Sequence, residues 1–353
     1  MPPIDLTKYH GKGLTGIENL GNTCFLNACM QVLSHTYELN EFLDSEMCVF
    51  KLKPDSEDST ILTEWNDLRR VMWSGNGTVN PQRFVHNVHR IAQIKKKDIF
   101  TGFAQNDMPE FLLFMTSCMH TSISRRVNMR ITGEIKHDTD KIATKCYEML
   151  QSTYLKEYSE IMDIFYGIYV TEIRTIDGAT SHVIKPESYF ILDLPVIYGG
   201  HAVANIYESL DIFTTPEYLD GDNAWFNENT GVKEDIIKQT MFWNFPKILV
   251  ITLNRFTPDG LSKINNLIEF PLDDLDLSKY VRGYNSKSFV YELYGVCNHS
   301  GGILGGHYTA TVKTSDNHWF NFNDNFVTTI ENPTQIITPL AYCLFYRKKN
   351  NVV

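Results

Sequence analysis

The chain contains no Cys-x-x-Cys pair, so the usual thiolate cage for a structural metal is missing. Its seven cysteines, at 24, 29, 48, 118, 146, 297 and 343, are odd in number and follow no framework spacing. Such usage argues against a disulfide scaffold and fits reduced thiols in an intracellular, cytoplasmic or nuclear setting. No run approaches the roughly 18 apolar residues that a membrane span needs. Met1-Pro2-Pro3-Ile4-Asp5 lacks the basic and apolar segments of a signal peptide. Positive charge is also scarce: Lys+Arg 32 against Asp+Glu 42 leaves a net charge of −10 and a pI of about 5.6. That balance argues against a nucleic-acid partner and favours a cationic partner surface. Lys95-Lys96-Lys97 is too short to reverse it and reads as a solvated loop. Repeats and low-complexity tracts are absent. His86-x-x-His89 has helical ligand spacing but no cysteine or acidic company, so it reads as a solvated helix face. Neither cofactor nor metal is expected, and the chain is expected to be a monomer.

What the chain does have is apolar material: 43% of its residues are hydrophobic, over a length suited to two domains or one large one with insertions. To about residue 120 the pattern is helical. After Cys24, residues Leu26, Cys29, Met30 and Leu33 fall at i, i+3, i+4 and i+7, one apolar stripe in which Cys29 is a packed thiol. A second helix is predicted from near Asp107, where Phe111, Phe114, Met115 and Cys118 repeat the spacing. Asp107 and Glu110 stand in capping-box relation, and Pro109 is tolerated in a first turn. Residues of about 121 to 165 extend the helical block to Ile161-Met162-Asp163-Ile164-Phe165. From about 166, β-branched and aromatic runs punctuated by Gly and Pro take over. Lys247 to Leu253 reads as a buried strand, and His307 to Val312 alternates as a strand with one polar face. Helices first and sheet later predict an α+β fold, with the Cys24 helix packed on an antiparallel sheet.

Three short stretches carry chemistry. Asn19-Leu20-Gly21-Asn22-Thr23-Cys24 puts a thiol just inside a helix start, five residues after an amide. Gly305-Gly306-His307-Tyr308 and Phe322-Asn323-Asp324 follow far downstream. Nucleophile, base and orienter in that order are what acyl transfer through a thioester needs. A free thiol is only a few per cent thiolate at neutral pH, so a cation or a helix N-terminus must lower its pKa. Asn22 or Thr23 can cap the Cys24 helix. His307 offers an imidazolium partner and later protonates the leaving amine. Asn323 or Asp324 would accept from the other ring nitrogen and fix the tautomer. Asn19 could donate to the tetrahedral oxyanion beside a backbone N–H near Cys24. Singly, each piece has a plainer explanation: a buried thiol, a tight turn, a hairpin turn. Their joint occurrence in order makes those explanations poor.

Gly16 to Asn27 resembles, almost letter for letter, the Cys box of the ubiquitin-specific proteases, the papain-like deubiquitinase family. Tyr294 to Ala310 resembles its His box. Gln105-Asn106-Asp107-Met108-Pro109-Glu110-Phe111 resembles its Gln-Gln-Asp-Ala-x-Glu-Phe segment, and Pro246 to Phe256 the strand before its palm sheet. The resemblance covers about residues 14 to 347. It implies that Cys24 is the nucleophile, His307 the base and Asn19 the oxyanion donor. The third triad member directly follows the aromatic residue, here Asn323, with Asp324 as competitor or as an auxiliary to oxyanion binding. His299 also matches a family position, with a supporting loop role. The implied substrate is ubiquitin or a ubiquitinated protein, cleaved after the tail Leu-Arg-Gly-Gly. Gly305 and Gly306 would form one wall of a narrow groove, and Gln105, Asp107, Glu110 and Tyr308 would bind the tail, the carboxylates meeting its Arg. A capping box accounts for Glu110 equally well.

The resemblance also implies an organisation: a tail over 1–13, one catalytic domain over 14–347 and a second tail over 348–353. Within the domain, the thumb would span about 14–165, the fingers about 166–245 and the palm about 246–347. The family's two zinc knuckles would fall near Thr175–Gly178 and Asn227–Thr230, and neither stretch contains cysteine. The fingers are therefore expected to be a hairpin without metal, packed through Ile176, Val183, Phe226 and Val232. Two alternatives stand beside an active deubiquitinase: a catalytically weak ubiquitin-binding module, and a protease for another ubiquitin-like modifier. The complete set of nucleophile, base, orienter and amide speaks against the first.

Overall fold

The computed structural model describes residues 4–178, 180–257, 262–302 and 305–349. Residues 303 and 304 of the His-box stretch, 1–3 of the first tail and 350–353 of the second lie outside the described residues.

The helical half is built round α1 (Cys24–Ser34), every residue of which is buried. Its apolar stripe sits in the core as the spacing predicts, but the opposite side is covered too. The polar positions there find partners: Asn27 donates to the carbonyls of Ile17 and Glu18, and Gln31 donates to that of Thr15 at 2.8 Å. Buried amides need such partners. Around α1 stand α2 (Asp58–Ser74) and α3 (Met108–Ile123), which pack on each other, with α3 also against α1. The capping box expected at α3 does not form: Asp107 is the N-cap but makes no side-chain cap bond, its carboxyl being taken by Tyr308. Further along, α4 (Asp138–Tyr154) and α5 (Glu160–Phe165) complete the helical block; the stretch between α3 and α4 is irregular.

The strands form two main sheets. In chain order they are β1 (Gly167–Thr175), β2 (Ser181–Tyr189), β3 (Ile191–Pro195), β4 (Glu217–Leu219), β5 (Ile236–Asn244) and β6 (Ile248–Asn254). Then follow β7 (Leu275–Asp276), β8 (Val290–Gly302), β9 (Gly305–Lys313), β10 (Trp319–Asn323), β11 (Phe326–Ile330) and β12 (Ala341–Lys348). The four-stranded sheet has the order β2-β1-β5-β4. The eight-stranded sheet runs β11-β10-β9-β8-β12-β6-β3, with β7 pairing β8 off that path. Only its β3–β6 pair is parallel. Thus β3, which lies in the stretch expected to form fingers, belongs to the large sheet.

One core lies between the helices and one face of the large sheet, a second under the opposite face. A third, small cluster joins Ala143 and Cys146 of α4 to Ile168, Val170 and Trp243 at the base of the four-stranded sheet. The finger packing expected from the sequence forms only in part, since of the four residues only Val183 on β2 is partly buried. Ile176, Phe226 and Val232 are each about half exposed, because a two-stranded tip has no second layer to bury them against. Among the described residues, no helix is long and apolar enough to cross a membrane.

Candidate active site

Cys24 opens α1, and that helix packs directly on β9, the strand that carries His307. No capping bond marks the helix start. The Thr23 hydroxyl turns back to Asn19 Oδ1 at 3.2 Å, and the Asn22 amide donates to the Phe103 carbonyl at 3.0 Å. The thiol is 3% exposed. Burial pushes its pKa up, and the Asp324 carboxylate adds to that, while N–H groups of Tyr308, Phe25 and Cys24 itself pull the other way. The helix N-terminus thus acts as expected but is outweighed by desolvation in the resting site.

His307 and Asn323 come from paired strands. Ala310 faces Phe322 in the β9–β10 register, so His307 and Asn323 share the other face. His307 Nε2 lies 2.6 Å from Asn323 Oδ1, which leaves Nδ1 free. Asp324, the next residue, turns away from the ring. Its φ of 52° is a left-handed conformation that Asp tolerates. Its two carboxylate oxygens accept from Asn19 Nδ2 at 2.9 Å and from Asn27 Nδ2 at 2.7 Å. Asn19 is held at both ends, since its Oδ1 accepts from the N–H groups of Gly21 and Thr23. The turn is clamped from outside: Ile17 N–H donates to the Asp324 carbonyl at 2.9 Å, and a Cβ on Gly16 would meet the Asn325 carbonyl oxygen at 2.4 Å.

A cavity of about 340 Å³ opens beside the thiol, lined in part by Cys24, Gln105, Asp107, Gly305, Gly306 and Tyr308. Gly306 N–H donates to Gln105 Oε1 at 2.6 Å, and Gln105 Nε2 reaches Asn22 Oδ1 at 3.4 Å, so this amide spans the two walls. Gly306 must lack a side chain, because a Cβ would lie 2.2 Å from His299 Nε2 and 2.4 Å from the Ser300 carbonyl. Asp107 accepts from the Tyr308 hydroxyl at 2.9 Å. Burial raises its pKa, and the hydroxyls of Tyr308 and Tyr342 counter that. His299 lies tilted against Tyr308 with centroids 4.5 Å apart, and burial pushes its pKa down to about 4, which favours the neutral ring.

The structure therefore gathers Cys24, Gln105, Asp107, Gly305, Gly306 and Tyr308 round one cavity. His307, Asn323, Asp324 and Asn19 line up as two separate polar contacts beside it. Glu110 stands exposed on the first turn of α3. Asn27, Phe256 and Tyr342 also belong to the site or its walls and were not foreseen. Asn27 left a trace in the sequence, as a polar residue in the first turn of a mostly apolar helix.

A helix-borne thiol set against a strand-borne imidazole, on an α+β scaffold, is the layout of the papain-like thiol hydrolase class. A family model described as ubiquitin carboxyl-terminal hydrolase matches residues 15–346. The chain belongs to that family. It is 34% identical over 345 residues to human ubiquitin carboxyl-terminal hydrolase 2, covering 95% of this chain and 55% of that protein. The Gallus gallus protein of the same name is 32% identical, with 98% of this chain and 96% of that one covered. The chain spans about half the length of the human, bovine and rat relatives it matches. Among solved structures, the SAGA DUB module of Ubp8, Sgf11, Sus1 and Sgf73 bound to monoubiquitin superposes with a TM-score of 0.74 at 24% identity. That match covers 99% of this chain and 72% of the other.

Proposed function

We propose that the chain is a cysteine-type deubiquitinase that cleaves the peptide or isopeptide bond after the ubiquitin Gly-Gly. The observation that carries this is the Asn323 amide on His307 Nε2, on the strand that packs against the Cys24 helix; in this reading Nδ1 serves the thiol. In the first step His307 takes the thiol proton, and the sulfur attacks the glycine carbonyl. The oxyanion then accepts from a backbone N–H near Cys24 and from Asn19 Nδ2, whose second hydrogen stays on Asp324. As the intermediate collapses, His307 passes its proton to the leaving amine and a thioester remains. Water, deprotonated by the same ring, attacks the thioester and releases the ubiquitin carboxylate and the free thiol.

Asn323 is the third triad member in this reading and Asp324 the anchor of Asn19. Gln105, Asp107, Glu110, Gly305, Gly306 and Tyr308 form the tail groove. The thumb, fingers and palm divide near residues 165 and 245, with β3 contributed to the palm. An intracellular location is supported by seven cysteines that all remain free thiols, including Cys297 and Cys343 opposite each other on paired strands.

The test is labelling with ubiquitin that bears a C-terminal thiol-reactive electrophile, beside equivalents for other ubiquitin-like modifiers. A stoichiometric ubiquitin adduct that is lost in Cys24→Ala is expected. Preference for another modifier, or no adduct at all, refutes the substrate. Labelling that survives Cys24→Ala refutes the nucleophile and makes Cys29 the first suspect.

A further inference from the structure

The end of the large sheet far from the thiol carries a second cavity, of about 370 Å³. It lies where the last turn of α4 and the helix α5 meet the strand ends of β1, β5, β6 and β12. Tyr154, Tyr166, Phe245 and Phe289 supply aromatic walls, and Lys247 and Lys348 stand among them. The register sets its distance from the catalytic cleft. Lys348 is opposite Tyr291 on β8, whereas His307 is opposite Ser300, nine residues further along that strand. At a strand's rise that is about 30 Å.

The two lysines form a cross-strand pair. Ile248 faces Arg347 in the β6–β12 register, and the Lys348 N–H donates to the Lys247 carbonyl at 2.8 Å. Lys247 and Lys348 therefore stand opposite each other on one face of the sheet. Both are half-buried. Lys348 Nζ lies 4.0 Å from the centre of the Phe289 ring and donates to the Ser288 hydroxyl at 3.2 Å. Among the described residues neither lysine forms an ion pair, although their neighbours do: Arg347 pairs with Glu38, and Lys349 with Asp274. The carboxylate in the cavity wall, Asp163, is exposed and accepts from the Tyr158 hydroxyl. Asn244, also in the wall, holds its Oδ1 on the Ile168 N–H at 2.9 Å, and its Nδ2 has no acceptor among the described residues.

A lysine at a strand end can simply keep its ammonium in water above an apolar stem. That explains one lysine. Two directly opposite each other repel, and in a chain of net charge −10 a carboxylate would be the ordinary neighbour. The counter-charge that would balance them is about two units, which a phosphate monoester supplies at neutral pH and a single carboxylate does not. Aromatic walls and a volume of this size suit a ring attached to that phosphate.

We propose that this cavity is a binding site, separate from the catalytic cleft, for a small aromatic molecule bearing a phosphate monoester. The phosphate sits between Lys247 and Lys348, and the ring packs among the aromatic walls. The site does not depend on what the catalytic cleft cleaves.

Calorimetric titration of the purified chain with adenosine monophosphate and with phenyl phosphate is the test, beside adenosine, inorganic phosphate and benzoate. The proteins are the parent, Lys247→Gln, Lys348→Met, which keeps an apolar stem over Phe289, and Gln105→Ala in the catalytic cleft, each checked by thermal melting. Saturable one-to-one binding of at least one phosphorylated ring is expected, with adenosine, inorganic phosphate and benzoate each about tenfold or more weaker. Each lysine variant should weaken the phosphorylated ligand about three- to tenfold and leave the unphosphorylated ring unchanged. Gln105→Ala should bind as the parent does. No saturable binding of either phosphorylated ring, equal binding of inorganic phosphate or benzoate, or affinity indifferent to both lysines overturns the proposal. Affinity lost in Gln105→Ala places the ligand in the catalytic cleft and overturns it too. If Lys348→Met does not fold, Lys247→Gln decides alone.

Discussion

His307 Nε2 and Asn323 Oδ1 lie 2.6 Å apart, while the adjacent Asp324 carboxylate binds the Asn19 and Asn27 amides instead. Neighbouring residues in one turn therefore serve the two halves of the site, one holding the His307 ring and the other the Asn19 amide. A neutral amide orients the imidazole without adding a negative charge beside it.

Asn323→Ala should lower kcat by about a hundredfold, because the ring loses its orientation and its tautomer preference. Asn323→Asp should restore most of that activity. Asp324→Ala should cost less, about tenfold, by freeing Asn19. Steady-state kinetics of the three variants decide the order. A greater loss in Asp324→Ala would reverse the two roles.

The Cys24 thiol is held above its ordinary pKa by burial and, secondarily, by Asp324. A raised thiol pKa means fewer thiolates at neutral pH, so alkylation should accelerate with rising pH to a midpoint above the usual thiol range. Asp324→Asn removes a negative charge that opposes the thiolate, and the midpoint should move to lower pH. Iodoacetamide inactivation rates across pH measure this. An upward or absent shift contradicts the electrostatic assignment.

Gly16→Ala should injure catalysis from outside the cleft. The added Cβ meets the backbone of Asn325 at 2.4 Å, and backbone cannot swing aside as a long side chain can. Overpacking of this kind costs about 1–3 kcal/mol. The turn that carries Asp324 must move, so kcat should drop about tenfold or more while KM stays nearly constant. Parent-like kcat with a lowered melting temperature would show that the turn and the site are uncoupled.

The fingers should keep their structure and ubiquitin affinity in a chelator. Where the knuckles would stand, Glu234 accepts from Asn227 and Thr230 at 2.8 and 2.7 Å, and His182 lies against the Trp225 ring at 5.6 Å. These contacts fasten the tip through hydrogen bonds and ring packing rather than through thiolates. Metal analysis of the purified protein, with activity assayed before and after chelation, is the measurement. One equivalent of zinc, or activity lost to a chelator and restored by zinc, would contradict the metal-free fingers.

Much of the scaffold was legible in the sequence, because α1 carries a helical period of its own and β6 a continuous apolar run. Periodicity reports what one segment can bury, not what covers it. The polar side of α1 became buried because Asp324, 297 positions from Asn27, lies against it. Asp107 lost its capping role to Tyr308, 201 positions away. The Cys24, His307 and Asn323 positions were visible because chemistry demands those residue types in a fixed local setting. Tyr342 was not, since its place beside the cleft arises from strand order alone.

The position of β12 carries a kinetic meaning. This last strand, Ala341–Lys348, lies between β8 and β6, so the large sheet remains in two pieces until it inserts. Synthesis delivers the thiol-bearing helix early and the strand that joins the sheet last. Until β8 and β9 are made, α1 lacks its sheet-side cover and His307 has not emerged. Such long-range closure makes for slow folding. It also means that a nascent chain stopped short of β12 lacks the joined sheet, so the strand that carries His307 is fixed against α1 in one late step, once β12 has emerged.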